Sequence, residues 1–158
     1  MLLLSVILYG AESLVPEKTD VSLRERVRRV NTQCEVFGPA NVILVSIHVN
    51  AAAADGKWHK ATSWSAFTTP EITKSDLLAY DLYKAAKKNL QGKVICQFNG
   101  PKEPDFEKNF YILKHTKCPA VLTKNFFMDN IKDINFLNRW DGERAISHLH
   151  IEGIDRLY

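Results

Sequence analysis

Residues 42–51 read VILVSIHVNA, the segment of the chain that is most informative about the fold class. A continuous run of apolar, β-favouring residues predicts a strand that is buried on both faces of a sheet, which is typical of an α/β fold. His48 follows near the carboxyl end of this strand, where open α/β sheets place their ligands. Among the five histidines, His48 is therefore the best candidate for a metal ligand or a catalytic group. The alternative is a hydrogen-bonded structural histidine without a chemical role.

Length and composition indicate one globular domain. The chain has 158 residues, of which 46% are hydrophobic and 25% are charged, so we treat residues 1–158 as a single domain with an atypical apolar start over residues 1–13. The formal charge of +3 does not indicate nucleic-acid binding, because no dense basic stripe with interleaved aromatic residues accompanies it. The arginines between residues 24 and 29 predict a solvated helix face.

The three cysteines, Cys34, Cys96 and Cys118, are far apart in the sequence. Their odd number and wide spacing favour neither a disulfide framework nor a metal knuckle. We interpret Cys118 as a small buried hydrophobic residue.

The first eleven residues, MLLLSVILYGA, superficially look like a signal peptide. No basic residue precedes the apolar run, since the first one is Lys18, and the run is far too short to span a membrane. We therefore expect a buried strand or the end of a truncated helix, with neither an export signal nor a membrane span.

Capping and turn residues predict an alternation of strands and helices. Ser22 and Glu25 form a capping box that opens a helix over about 23–35, and Ser75 caps a second helix over about 76–90. Further helices are predicted over 130–137 and 141–157, a loop over 94–107, and strands over 14–15, 42–50, 61–69, 110–113 and 120–123. This order predicts a three-layer α/β domain, a twisted and mostly parallel or mixed sheet flanked by helices.

Two motifs in the right order resemble the zinc-dependent N-acetylmuramoyl-L-alanine amidases, which hydrolyse bacterial cell walls. The first is SIHVNA over residues 46–51, preceded by the arginine-containing helix LRERVRRVN over residues 23–31. The second is CPAVLTKNFFMDN over residues 118–130. The resemblance covers roughly residues 14–157. It implies an α/β fold, a zinc cofactor and hydrolysis of the muramoyl–L-alanine amide bond of peptidoglycan.

The resemblance also implies roles for individual residues. Zinc in that family is held by two histidines and a glutamate, and a second glutamate acts as general base. His48 matches the second histidine, and Asn50 and Asn125 are implied as substrate-binding residues. Lys124 occupies the position of the catalytic glutamate, where we do not expect it to function. The Gly-His-Gly turn and the ligand glutamate are missing, so we expect an N-terminally truncated homologue whose first strand is missing or replaced, and zinc retention is not expected.

Other side chains are poor substitutes for the missing ligands. The candidates are His59, His115, His148, His150, Glu103 and Glu107. His59 and His115 could approach the strand end, although surface roles fit them better. His148 and His150 are two residues apart on a helix and therefore point away from each other. No nucleophile elbow or phosphate-binding loop is present in the sequence.

The sequence leaves three hypotheses about function. By family the chain is a zinc amidase acting on peptidoglycan, with no more than trace hydrolysis expected here. Alternatively it is a non-catalytic remnant that binds peptidoglycan, or a module that depends on a partner. The last hypothesis includes self-association through the sheet edge that a missing first strand would expose. The family implies location in the cell wall or outside the cell.

Overall fold

A mixed six-stranded sheet forms the centre of the molecule in the computed structural model. The structure describes residues 21–98 and 103–157, together with the backbone of Leu4–Ile7 and Glu12–Ser13. The strands are β1 (Leu4–Ile7), β2 (Glu12–Ser13), β3 (Leu44–Asn50), β4 (Trp64–Thr68), β5 (Phe106–Glu107) and β6 (Ala120–Phe127). The helices are α1 (Leu23–Phe37), α2 (Lys74–Asn89), α3 (Tyr111–His115), α4 (Ile131–Leu137) and α5 (Trp140–Asp155), with a 3-10 turn at Pro39–Asn41.

The strand order is β2-β1-β3-β6-β4-β5. The two central strands, β3 and β6, run parallel, and β4 pairs antiparallel with β6 and parallel with β5. Parallel strands end at the same edge of a sheet, so the residues that close β3 and β6 come together there. The predicted α/β class with a mixed sheet flanked by helices is confirmed.

The backbone of β1 lies along the outer edge of β3. It pairs antiparallel, with Leu4 opposite Ile47 and Val6 opposite Val45, and β2 pairs with β1 in turn. Part of the apolar start is therefore a strand, as predicted, and it lies along the edge of β3. That this strand replaces the first strand of the family stays a prediction. Self-association stays a prediction, but an unpaired edge of β3 no longer supports it.

Helices cover both faces of the sheet and create two apolar clusters. On one face α2 and α5 bury Leu78, Leu82 and Leu149 against β3, β4 and β6. On the other face α1 and α3 bury Val30 against Leu122 and its neighbours. Burying one such side chain contributes about 1.5–3 kcal/mol, so both helix layers hold the central strands in place.

α2 and α5 approach each other closely at Gly153. A Cβ atom built on Gly153 would lie 2.6 Å from the Cδ2 atom and 2.9 Å from the Cα atom of Leu82. Only glycine leaves room for this contact. The close approach packs α5 directly against α2.

Two local predictions are wrong. Residues 110–113 were predicted as a strand, but α3 occupies this region, with Ile112 and Leu113 buried in the cluster beside α1. A short apolar run does not distinguish a strand from a buried helical turn. The N-cap of α2 is Thr73 in a capping box with Asp76, not Ser75, whose hydroxyl instead accepts a hydrogen bond from the backbone N–H of Ala120 at 3.0 Å.

The remaining boundaries agree within a few residues. The predicted strand at 61–69 is β4, and its Trp64 is fully buried as expected. The loop predicted over 94–107 contains the two-residue strand β5, and the strand predicted at 14–15 lies outside the described residues. In the part of the chain that the structure describes, no helix has the length and apolarity to cross a membrane.

Candidate functional site

His48 and Lys124 stand side by side at the carboxyl edge of the two central strands. Their Cα atoms are partners in the parallel register between β3 and β6, and both side chains are partly buried. His48 therefore lies at the strand end where the sequence places it. The topology of the sheet, not closeness in sequence, brings these two residues together.

The imidazole of His48 is held by its own strand. Its Nε2 atom lies 2.9 Å from the Oγ atom of Ser46, two residues earlier on the same face of β3. Burial, assisted by the positive charges of Lys124 and Arg26, lowers the pKa of His48 below its ordinary value. The neutral imidazole is therefore favoured at neutral pH. Ser46 is fully buried, so its hydroxyl is not accessible as a nucleophile.

The ammonium group of Lys124 has polar and aromatic neighbours. Its Nζ atom donates a hydrogen bond to the Oδ1 atom of Asn50 at 2.9 Å. The same nitrogen lies 5.5 Å from the ring centroid of Phe67 and 6.0 Å from that of Phe110, distances at which a ring face attracts a cation. Burial lowers the pKa of Lys124 from its ordinary value. Asn50, expected to contact substrate, is thus oriented by the lysine.

Sequence reasoning missed Arg26. Within the arginine cluster of α1 it was assigned to a solvated face, but its charge acts on His48, and its Nε atom donates to the backbone carbonyl of Val21 at 2.7 Å. A usable signal was present, because Val30, one helical turn further on, is buried. Residues four apart share a helix face, so Arg26 belongs to the inward side of α1.

Asn125 lies behind the site. Its side chain is 1% exposed, its Oδ1 atom accepts from the Nε1–H of Trp64 at 2.8 Å, and its Nδ2 atom donates to the backbone carbonyl of His48 at 3.0 Å and to the hydroxyl of Thr123 at 3.1 Å. These bonds join β4, β6 and β3 beneath the His48 edge. Substrate contact by Asn125 stays a prediction, whereas its structural role follows from the bonds.

The end of β6 departs from regular strand geometry. Phe126 has a φ of 63°, a left-handed conformation that is rare for a bulky residue, and the pairing with β3 shifts register between His48 and Asn50. Both Asn125 and Phe126 are buried. Backbone outliers of this kind cluster at functional sites.

The other histidines do not join His48. His59 bonds to Asp55, with 2.9 Å between Nε2 and Oδ1, and His115 stacks on Tyr111 at 4.2 Å between ring centroids. His115 ends the helix α3, so its predicted position near a strand end is wrong. His148 is exposed on α5, and His150 is buried on the opposite side of that helix, consistent with the prediction that the two point apart.

The two loop carboxylates also lie elsewhere. Glu103 and Glu107 line a groove beside α2, together with Asp76 and Leu77. Glu107 belongs to β5, which is separated from β6 by β4. Neither carboxylate is placed to replace a missing ligand next to His48.

The donor set at His48 does not fit the zinc ion that the resemblance implies. Within residues 21–98 and 103–157 no three side chains of His, Cys, Asp or Glu come together as a metal site. The side chain across the strand pair from His48 is an amine, and a positive charge there opposes the binding of a dication. A structural zinc or a catalytic zinc would need three or four protein ligands.

This chain is similar in sequence to several known proteins. A family model described as N-acetylmuramoyl-L-alanine amidase matches residues 5–156. The N-acetylmuramoyl-L-alanine amidase CwlM of Bacillus licheniformis is 25% identical over 138 residues, which are 87% of this chain and 47% of that protein. The sporulation-specific N-acetylmuramoyl-L-alanine amidase of Bacillus subtilis is 24% identical over 153 residues, 95% of this chain and 52% of that protein.

Solved structures show the same fold. The N-acetylmuramoyl-L-alanine amidase of Clostridium difficile 630 superposes with a TM-score of 0.68 at 19% identity, over 89% of this chain and 67% of that chain. AmiC2 of Nostoc punctiforme gives a TM-score of 0.66 at 17% identity, over 87% and 66%. The chain spans about half the length of the two named Bacillus amidases. Since the family model matches almost the whole chain, the chain belongs to the N-acetylmuramoyl-L-alanine amidase family.

Proposed function

We propose that this amidase-family chain binds the peptide stems of peptidoglycan at the His48–Lys124 edge without hydrolysing them. One observation carries the proposal: Lys124 occupies the strand position directly across from His48, where the resemblance implies a catalytic glutamate. Family membership supplies the substrate class. The amine of Lys124 in place of the implied carboxylate is the reason that we expect binding without hydrolysis.

Amide hydrolysis in the implied reaction needs a carboxylate to take a proton from the attacking water. An ammonium group carries no lone pair and cannot accept that proton. Lys124 is additionally engaged with the Oδ1 atom of Asn50, and His48 with Ser46. The side chains at this edge are thus suited to donating hydrogen bonds to a ligand, not to activating water.

The same exchange creates a site for anions. Lys124 and Arg26 bring positive charge to His48, and Phe67 and Phe110 place two ring faces beside the ammonium. Peptidoglycan stem peptides carry free carboxylates beside small aliphatic side chains. A carboxylate paired with Lys124 gains a charge-assisted hydrogen bond, which is stronger than a neutral one.

The test combines binding with catalysis in the same preparations. The wild-type chain is incubated with insoluble peptidoglycan, the bound fraction is measured after centrifugation, and newly released amino termini are counted. We expect binding without release. In Lys124→Glu we expect binding to fall at least about tenfold, in line with the loss of one charge-assisted contact worth about 1.5–3 kcal/mol, and we still expect no release.

Lys132→Glu is the matched control, because Lys132 is exposed on α4 and the substitution changes the net charge by the same amount. It should keep wild-type binding. Equal losses in both variants would reduce the interaction to unspecific charge attraction. Release of amino termini by the wild type, or by Lys124→Glu, would overturn the non-hydrolytic assignment. One zinc per purified chain, measured by elemental analysis, would overturn the conclusion that the side chains around His48 do not fit a zinc ion.

A further inference from the structure

Two cysteines that are distant in the sequence meet in one apolar cluster. Cys34 lies in the fourth turn of α1, and Cys118 lies two residues before β6. They are 1% and 7% exposed. Both belong, as free thiols, to the cluster between α1 and the sheet, where Cys34 is close enough to raise the pKa of Cys118. Because the odd number and wide spacing of the cysteines favour no disulfide framework, this pair is visible only in the folded chain.

The backbones that carry the two thiols are tied together on both sides. The Oδ1 atom of Asn31 accepts from the backbone N–H of Lys117 at 2.9 Å, and its Nδ2 atom donates to the carbonyl of His115 at 3.0 Å. The Nζ atom of Lys117 reaches the Oε1 atom of Glu35 at 3.0 Å. A disulfide needs two closely approaching backbones, and these contacts, one residue from Cys118 and on both flanks of Cys34, maintain that approach.

We propose that Cys34 and Cys118 form a disulfide bond that joins α1 to the start of β6. The oxidant is an oxidised dithiol protein. The thiolate of one cysteine attacks its disulfide to give a mixed disulfide, and the second thiolate displaces the oxidant. One S–S bond forms in this chain and one breaks in the oxidant. The two electrons and both thiol protons end on the two thiols of the oxidant.

The bond forms while the chain folds. Once both residues are buried, desolvation and the neighbouring sulfur raise the pKa of Cys118 well above its ordinary value, and a protonated thiol is a poor nucleophile. The same burial then shields the closed disulfide from attack. Cys96 lies elsewhere, where its backbone bonds to Trp64 and Tyr83, and takes no part.

The first measurement uses the full wild-type chain and needs no variant. The chain is refolded with oxidised and reduced glutathione, denatured, alkylated with iodoacetamide without reduction, and digested for mass spectrometry. We expect one alkylated cysteine, Cys96, and one linked peptide pair containing Cys34 and Cys118. Alkylation of all three cysteines, or a linkage that includes Cys96, would overturn the proposal.

Thermal unfolding of the oxidised and reduced chain is a second, independent measurement of the same bond. The bond would close a loop over residues 35–117, and a loop of this length predicts a melting temperature about 10 °C higher in the oxidised chain than in the reduced one. Cys96→Ala should keep this difference, whereas Cys34→Ala and Cys118→Ala should lose it. A difference that persists in Cys118→Ala would assign the stabilisation to something other than this bond. Neither measurement depends on whether the chain binds peptidoglycan.

Discussion

His150 should make this protein sensitive to mild acid, although it lies outside the candidate site. The side chain is 5% exposed. Its Nδ1 atom lies 2.7 Å from the carbonyl oxygen of Ile146, and its Nε2 atom lies 2.9 Å from the Oγ1 atom of Thr123. A carbonyl can only accept, so Nδ1 carries the proton and Nε2 accepts from the threonine hydroxyl. The neutral imidazole is fully bonded, and a second proton would bury a charge.

The size of the effect follows from the pKa. Burial lowers the pKa of His150 from 6.5 to about 4. As the pH falls below 6.5, the unfolded chain binds this proton and the folded chain does not, so folding stability declines until the pH reaches the folded pKa. Between neutral pH and pH 4.5 the loss amounts to about 2.5 kcal/mol, at roughly 1.4 kcal/mol per unit of pKa difference.

Urea unfolding followed by tryptophan fluorescence, at neutral pH and near pH 4.5, measures this loss. In His150→Gln the decline in unfolding free energy should be smaller than in the wild type by about 2.5 kcal/mol. His148→Gln is the control, since His148 is exposed on the same helix, and it should decline as much as the wild type. Equal declines in His150→Gln and the wild type would show that His150 is not the source of the acid sensitivity, whatever the stability of the variant at neutral pH.

Two substitutions test the packing behind the site. Gly153→Ala should lower the unfolding free energy in thermal melts by about 1–3 kcal/mol, because a methyl group there meets a leucine of α2 at 2.6 Å. Ser147→Ala, exposed on the same helix, is the control and should have little effect. An unchanged melting midpoint for Gly153→Ala would show that α5 can shift to accept the methyl group. Trp64→Phe should cost about 1–3 kcal/mol, because it leaves the Oδ1 atom of Asn125 buried without its donor. Trp58→Phe, at an exposed position, is its control, and equal midpoints for the two tryptophan variants would contradict this assignment.

Much of the fold could be predicted from local signals. The apolar run before His48 predicts a central strand, and the Ser22 cap predicts the start of α1, because both signals depend on a few neighbouring residues. The error at α3 has the opposite origin. Ile112 and Leu113 are apolar in either conformation, and only the cluster beneath α1 selects the helical turn.

The sequence predicts where the site lies, but not all of the residues that form it. His48 and Lys124 were identified because a motif gives each a place at a strand end. Arg26 and the contact between Cys34 and Cys118 were not, since both depend on how α1 lies on the sheet. The hydrogen bonds of Asn125 depend in the same way on the antiparallel neighbour β4. Tertiary packing creates these contacts, and the four-residue spacing between Arg26 and Val30 indicates only which face of α1 is turned inward.

The parallel pairing of β3 with β6 has a consequence for how the chain reaches its native state. Every paired position from Leu44–Ala120 to His48–Lys124 joins residues that are 76 apart in the sequence. During synthesis the apolar strand before His48 therefore leaves the ribosome long before its parallel neighbour exists. Contacts of such long sequence separation form late and slow folding. The edge of β3 that β1 does not cover is prone to aggregation until β6 pairs with it. The His48–Lys124 edge is thus among the last features to assemble. Yield in the cell should depend on keeping β3 from contacting other chains until β6 has emerged.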